Sequence, residues 1–187
     1  MIDLFQKLLM MQQIKFEEGN IRLFGRRMVL SPAEMPIAMT DYMLNHPQAI
    51  PEIYEKIRVN IETGWAEAVH DLYKFGRRNY IDTMKDIGTL SGWGNHQFLT
   101  YDAEKLEGLV RTPNSPVGEY YKNKVKEPVD HIFRGLAAGV GSAILKKEMD
   151  WIETKCIGKG DPYCEMLFKL RENITSEERK KYINQLP

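Results

Sequence analysis

The sequence predicts an α+β domain, with helices packed on a small antiparallel sheet and a C-terminal β-hairpin. Three observations predict it. Apolar residues recur every three or four positions along 51–75 and again along 128–144, the helical period. Short apolar runs flank a Gly-Asn turn in 14–24 and a polar turn in 97–110, as paired strands do. Near the end, 164–170 alternates apolar and polar residues after the turn Gly158-Lys159-Gly160-Asp161-Pro162.

The elements follow in order. Residues 1–9 read as an amphipathic helix with Leu4, Phe5, Leu8 and Leu9 on one side. Ile14 to Glu17 and Ile21 to Phe24 form a hairpin around Gly19-Asn20, and Met28-Val29-Leu30 continues until Ser31-Pro32. A second helix covers 34–44. The long helix 51–75 carries Ile53, Ile57, Ile61, Trp65, Val69 and Leu72 on one stripe, with Pro51 in its first turn. Glu52, Glu55, Glu62 and Glu67 keep its other side wet, and His70 belongs to it as a surface or satisfied core residue. A shorter helix covers 79–86 and Gly92-Trp93-Gly94 breaks the chain. Strands follow at 97–101 and 106–110, then a loop at 113–116 and a helix begun over 117–122. Pro128 starts a helix whose apolar side is Val129, Ile132, Phe133, Leu136, Val140 and Ile144. Its Gly135 and Gly139 permit close approach by another backbone or a ligand, at a helix-propensity cost of ~1 kcal/mol each. The hairpin 150–170 comes next, and Ser176-Glu177-Glu178 opens a charged terminal helix.

The 187 residues suit one domain, 1–187, with 92–170 as the expected core ligand-binding and metal region. Lys plus Arg and Asp plus Glu both number 26, so the formal net charge is zero. That balance argues against direct nucleic-acid binding, which needs concentrated positive charge. Arg26-Arg27, Arg77-Arg78 and Lys146-Lys147 are isolated pairs. No stretch approaches the roughly 20 apolar residues of a membrane span, and no cleavage site follows the first helix. Two cysteines are too few for a disulfide scaffold. A reducing, cytoplasmic setting is the expectation.

Cys156 and Cys164 stand at either end of the Gly-rich turn, which can bring the two thiols together. Glu153 lies three residues before Cys156, and Asp130-His131 opens the preceding helix. Thiolate, carboxylate and imidazole together can complete a four-coordinate zinc site. A regular strand opposes this, because it would turn Glu153 and Cys156 to opposite faces. Both can face one ion only if the strand ends, bulges or twists near Thr154-Lys155.

The run Glu153-Thr-Lys-Cys156-Ile-Gly-Lys-Gly160-Asp-Pro-Tyr-Cys164 resembles the C-terminal signature of the vinyl-4-reductase domain family. The upstream Gly135-xxx-Gly139 helix and the spacing between them also match. Similarity runs from about Gly92 to Phe168, and the N-terminal half fits in element order. The family includes phenol-sensing domains of bacterial transcription activators, and its fold is similar to that of Golgi-transport tethering subunits and haem nitric-oxide sensors. The resemblance implies a zinc held by one Glu and three Cys. Glu153, Cys156 and Cys164 match three of those positions; the fourth falls on Asp130, a departure, with His131 adjacent as the alternative. Four protein ligands would make the zinc structural, pinning the hairpin to the helix beneath. The resemblance also implies a homodimer, with the N-terminal segment 1–45 as the candidate contact.

No G-x-G-x-x-G follows a strand, no phosphate loop occurs, and no nucleophile motif surrounds any Ser or Cys. No catalytic residue is assigned. Trp93, Phe98, Tyr120 and Phe133 adjoin the Gly-rich helix and are the expected lining of an apolar cavity, set against service as core aromatics. The expectation is a sensor or carrier for a hydrophobic or aromatic small molecule. Its alternatives are a reductase of a vinyl-bearing substrate and a ligand-free scaffold or dimerisation module.

Overall fold

A computed structural model describes residues 14–66 and 80–187. The expected first helix, 1–9, and the Val69, His70 and Leu72 positions lie outside the described residues, as does the Arg77-Arg78 pair. The remainder is α+β, as its patterning predicts.

Strands β1 (Ile14–Glu17), β2 (Asn20–Leu23) and β3 (Arg26–Met28) form an antiparallel sheet in that order. The third strand starts earlier than the apolar run 28–30 suggests. Phe24 and Gly25 both take positive φ, 50° and 75°, making the tight reversal that returns the chain at Arg26. Helix α1 (Glu34–Asn45) follows, then a short 3-10 turn and α2 (Ile50–Trp65). Helix α3 spans Tyr80–Leu90, four residues beyond the expected end.

The second sheet is antiparallel with order β4-β5-β7-β6, from β4 (Gln97–Asp102), β5 (Glu107–Thr112), β6 (Met149–Lys155) and β7 (Cys164–Leu170). Between its halves lie α4 (Pro116–Tyr120) and α5 (His131–Leu145), and α6 (Ser176–Lys181) follows β7. Helix α5 begins three residues later than Pro128 implies, with Asp130 at its N-cap position. The short helix α6 is closed by a full capping box, Thr175 with Glu178.

Helix α5 is the centre of the molecule. Every residue of it except Leu136 and Leu145 is buried. On one side Arg134 Nε donates to the Trp151 carbonyl of β6 at 2.8 Å. On the other, Gly135 and Gly139 lie against the α2 backbone, where an added Cβ would come within 3.0 Å of Tyr54 O and 2.5 Å of Arg58 O. The two glycines thus serve helix–helix approach.

Strand β6 is an edge, and an open edge invites unwanted pairing. The C-terminal segment covers it: Leu186 packs with Ile152 and Ile174, and Gln185 bonds the Glu153 backbone.

Candidate metal centre and ligand cavity

Glu153, Cys156 and Cys164 converge below the hairpin turn. One ligand atom from each lies within 4.8 Å of the others, and all three side chains are essentially buried. The bulge required by strand geometry is present, because the β6–β7 register shifts between Glu153 and Lys155. Cys156 then leaves the strand into the 3-10 turn Ile157–Lys159. Asp161 Oδ2 accepts from the Cys156 amide at 2.8 Å, and the Ile157 amide points at Cys164 Sγ at 3.4 Å. The thiols are free.

Asp130 stands beside this group and His131 does not join it. The Asp130 amide donates to Glu153 Oε2 at 2.9 Å, and Ser115 Oγ donates to Asp130 Oδ1 at 2.6 Å. Asp130 Oδ2 and Glu153 Oε1 are buried and make no hydrogen bond among the described residues. The His131 ring is held by Arg134, Nη1 to Nδ1 at 2.8 Å. Burial and the adjacent Arg134 hold His131 neutral, with its pKa lowered to about 3.

Packed out of water, Glu153, Asp130 and Cys164 resist ionisation. Burial raises the Glu153 carboxyl well above the usual range, and the nearby Asp130 and Cys156 charges add to it. Burial raises Asp130 too. Between the thiols, Cys164 as donor to Cys156 lowers Cys156 to about 7 and raises Cys164. A divalent cation reverses this balance by stabilising every ionised form at once. The two orphaned carboxylate oxygens and the paired thiols therefore fit a zinc-type ion. Glu153, Cys156 and Cys164 would hold it, with Asp130 alongside but outside that group of three, and its chemistry there would be to tie the two arms of the hairpin together.

Local sequence reasoning missed the supports of this site. Ser115 caps α4 through its hydroxyl, which accepts from the Gly118 amide at 3.1 Å while donating to Asp130. The Ser-Pro pair at 115–116 was the available signal, since Pro favours a first helical turn. Gly118 leaves room for the thiol: a Cβ there would lie 2.8 Å from Cys164 Sγ.

A separate cavity of about 770 Å³ opens between the first sheet and the helices. One face of that sheet, Ile14, Phe16, Ile21, Leu23 and Met28, forms a wall. Ile61 and Trp65 of α2, Met84 and Ile87 of α3, and Phe133, Ala137 and Val140 of α5 form the others. Trp93 and Phe133 line it as expected, with ring centroids 5.8 Å apart. Phe98 and Tyr120 do not. Phe98 lies behind the second sheet's aromatic cluster, 5.8 Å from Phe168, and Tyr120 is half exposed beside Tyr121. Strand parity turns Phe98 into the core against Phe168, away from the cavity lining, and the five-residue helix leaves the Tyr120 ring outside. Much of the lining also comes from before residue 92, so the cavity is not confined to the 92–170 region. His96 stacks on Phe133 at 4.7 Å and bonds Thr112 Oγ1 at 2.8 Å. The first turn of α5 links the two sites, with Asp130 facing the thiols and Phe133 facing the cavity.

Residues 114–170 match the model of the vinyl-4-reductase domain family. An uncharacterized protein of Methanocaldococcus jannaschii, MJ0150, is 43% identical over 44 residues, 24% of this chain and 25% of that protein. This stretch therefore spans only a quarter of the curated relative's length. Among solved structures, the phenol-responsive sensory domain of the transcription activator PoxR, with phenol, superposes at a TM-score of 0.72 and 20% identity. It covers 95% of this chain and 94% of that one. Subunit 3 of the trafficking protein particle complex from Naegleria fowleri, covalently bound to palmitic acid, gives 0.50 and 16%, covering 74% and 92%. A vinyl-4-reductase family protein from Methanocaldococcus jannaschii gives 0.46 and 18%, covering 76% and 83%. At these identities the likeness concerns the fold.

Proposed function

We propose that this chain, whose residues 114–170 match the vinyl-4-reductase domain family, is a small-molecule sensor or carrier stabilised by a structural zinc. The cavity carries the reading: about 770 Å³ walled mainly by apolar side chains is the size and chemistry of a ligand site, far larger than a packing defect. Its solved neighbours include a sensory domain with phenol and a subunit carrying palmitic acid, both hydrophobic ligands in the same fold. A hydrophobic or aromatic molecule is the ligand class. Zinc is supported by the convergence of Glu153, Cys156 and Cys164 with Asp130 alongside. With Asp130 drawn in as the fourth donor no open position is left, so the ion acts on stability rather than chemistry.

Homodimerisation through the segment 1–45 completes the reading. Val29 and Leu30 are 79% and 78% exposed there, and Met35 and Tyr42 are exposed on α1. Buried, unpaired thiols accord with a reducing cytoplasm. Among the described residues no helix is long and apolar enough to cross a membrane.

Native mass spectrometry of the purified protein, compared with the same sample denatured, tests this reading. One zinc per chain and an extra organic mass lost on denaturation are expected. A metal-free, ligand-free species would favour the scaffold, and nicotinamide-dependent turnover of a vinyl substrate would favour the reductase.

A further inference from the structure

We infer that the cavity takes an anionic amphiphile, a carboxylate on an apolar body, and that Arg26 receives the carboxylate. This rests on the reading of the cavity as a ligand site.

Arg26 is the charged exception on an apolar face. In the first sheet, cross-strand partners place Ile14, Leu23 and Arg26 in one row and Phe16, Ile21 and Met28 in the next. Five of those six side chains are apolar and all six line the cavity. A strand alternates its sides, so Arg26 shares the cavity-facing side with Met28, while Arg27, which also borders the cavity, is exposed and donates to the Gly19 carbonyl at 3.3 Å.

The opposite wall makes room for it. The guanidinium lies over Gly64 of α2, where an added Cβ would stand 2.5 Å from Nη2 and 3.2 Å from Cζ. A glycine inside a helix costs ~1 kcal/mol relative to alanine. Here its missing side chain is the space the guanidinium fills.

No described residue neutralises this charge. The described lining of the cavity contains no Asp or Glu. Of the acids of α2, Glu55 and Glu62 are both bound to Arg58, at 2.6 Å each. Among the described residues the Arg26 side chain makes no hydrogen bond or ion pair. A half-buried guanidinium on an apolar wall is unfavourable alone and favourable once a carboxylate meets its paired N–H groups. A neutral ligand leaves that cation unanswered.

Trp65 and Trp93 line the cavity, so quenching of tryptophan fluorescence reports binding. The probes are dodecanoate and 4-phenylbutyrate, each titrated against its own primary amide. Each acid is expected to bind at least about tenfold more tightly than its amide, the range of one charged hydrogen-bond pair. Arg26→Met should abolish that preference while both amides still bind, which also shows the variant is folded. Gly64→Ala, which displaces the guanidinium without removing it, should shrink the preference. Equal affinity of acid and amide for the unaltered protein would overturn the anion assignment while leaving the cavity a ligand site. Binding of none of the four probes would overturn both.

Discussion

Gln185 holds the Glu153 backbone at both its N–H and its C=O. Its Oε1 accepts from the Glu153 amide at 2.9 Å, and its Nε2 donates to the Glu153 carbonyl at 3.0 Å. A side chain near the C-terminus therefore supplies the pairing that an edge strand lacks, at the residue whose carboxylate faces the two thiols. The Gln185 carbonyl in turn accepts from Arg134 Nη2 at 2.5 Å, which ties the tail to the central helix.

Removing that clasp has a double consequence. Gln185→Ala leaves a buried amide and a buried carbonyl unpaired, at about 1–3 kcal/mol for each group. A destabilisation of ~2 kcal/mol or more is expected in urea unfolding. Zinc affinity should fall with it, since the Glu153 backbone loses its anchor. A variant as stable as the parent would show that water substitutes fully for the amide.

Cys156→Ser and Cys164→Ser should each lower zinc content and thermal stability together. A hydroxyl does not replace a thiolate as a soft donor. Chelation of the parent protein should reproduce the loss of stability, and metal analysis beside calorimetry checks both. Unchanged zinc stoichiometry in both variants sinks the assignment of these ligands.

The two glycines of α5 predict unequal outcomes. At Gly139 an added methyl meets Arg58 O at 2.5 Å and Ile61 Cβ at 2.6 Å, both of them fixed. At Gly135 the corresponding contacts begin at 3.0 Å. Gly139→Ala should therefore destabilise by about 1–3 kcal/mol, the usual cost of overpacking. Gly135→Ala should cost less, since the gain in helix propensity offsets part of a milder clash. Equal denaturation midpoints for the two would contradict this packing.

His96 makes stability fall on the acid side. Burial holds its pKa at about 4, against 6.5 in the unfolded chain. Above pH 6.5 both states are neutral and nothing is lost. As pH falls from 6.5 to 4 the unfolded chain binds a proton that the folded one excludes, so stability declines by up to ~3 kcal/mol. His96→Gln should reduce the slope in that window by about half, since His131, also held neutral, contributes a like decline, measured as unfolding free energy against pH. An unchanged slope would show that the decline has another source.

Period and punctuation alone determined most of the elements. Ile53, Ile57, Ile61 and Trp65 mark α2, the alternation after Cys164 marks β7, and Glu153, Cys156 and Cys164 are legible as a donor set because a Gly-rich turn returns one thiol to the other. Even the bulge is demanded by parity before it is seen. These are local facts, set by neighbours a few residues apart. Tertiary structure decided what depends on distant segments meeting. It chose Asp130 over His131 beside the thiols, because Arg134 occupies the imidazole while Ser115 orients the carboxylate. It brought Gln185 to Glu153, 32 residues away, and set Arg26 over Gly64 across a cavity that no single segment builds. Phe98 and Tyr120 are aromatic enough for a pocket, yet a side chain's destination is fixed by which elements pack on it, and that is a property of the assembled layers.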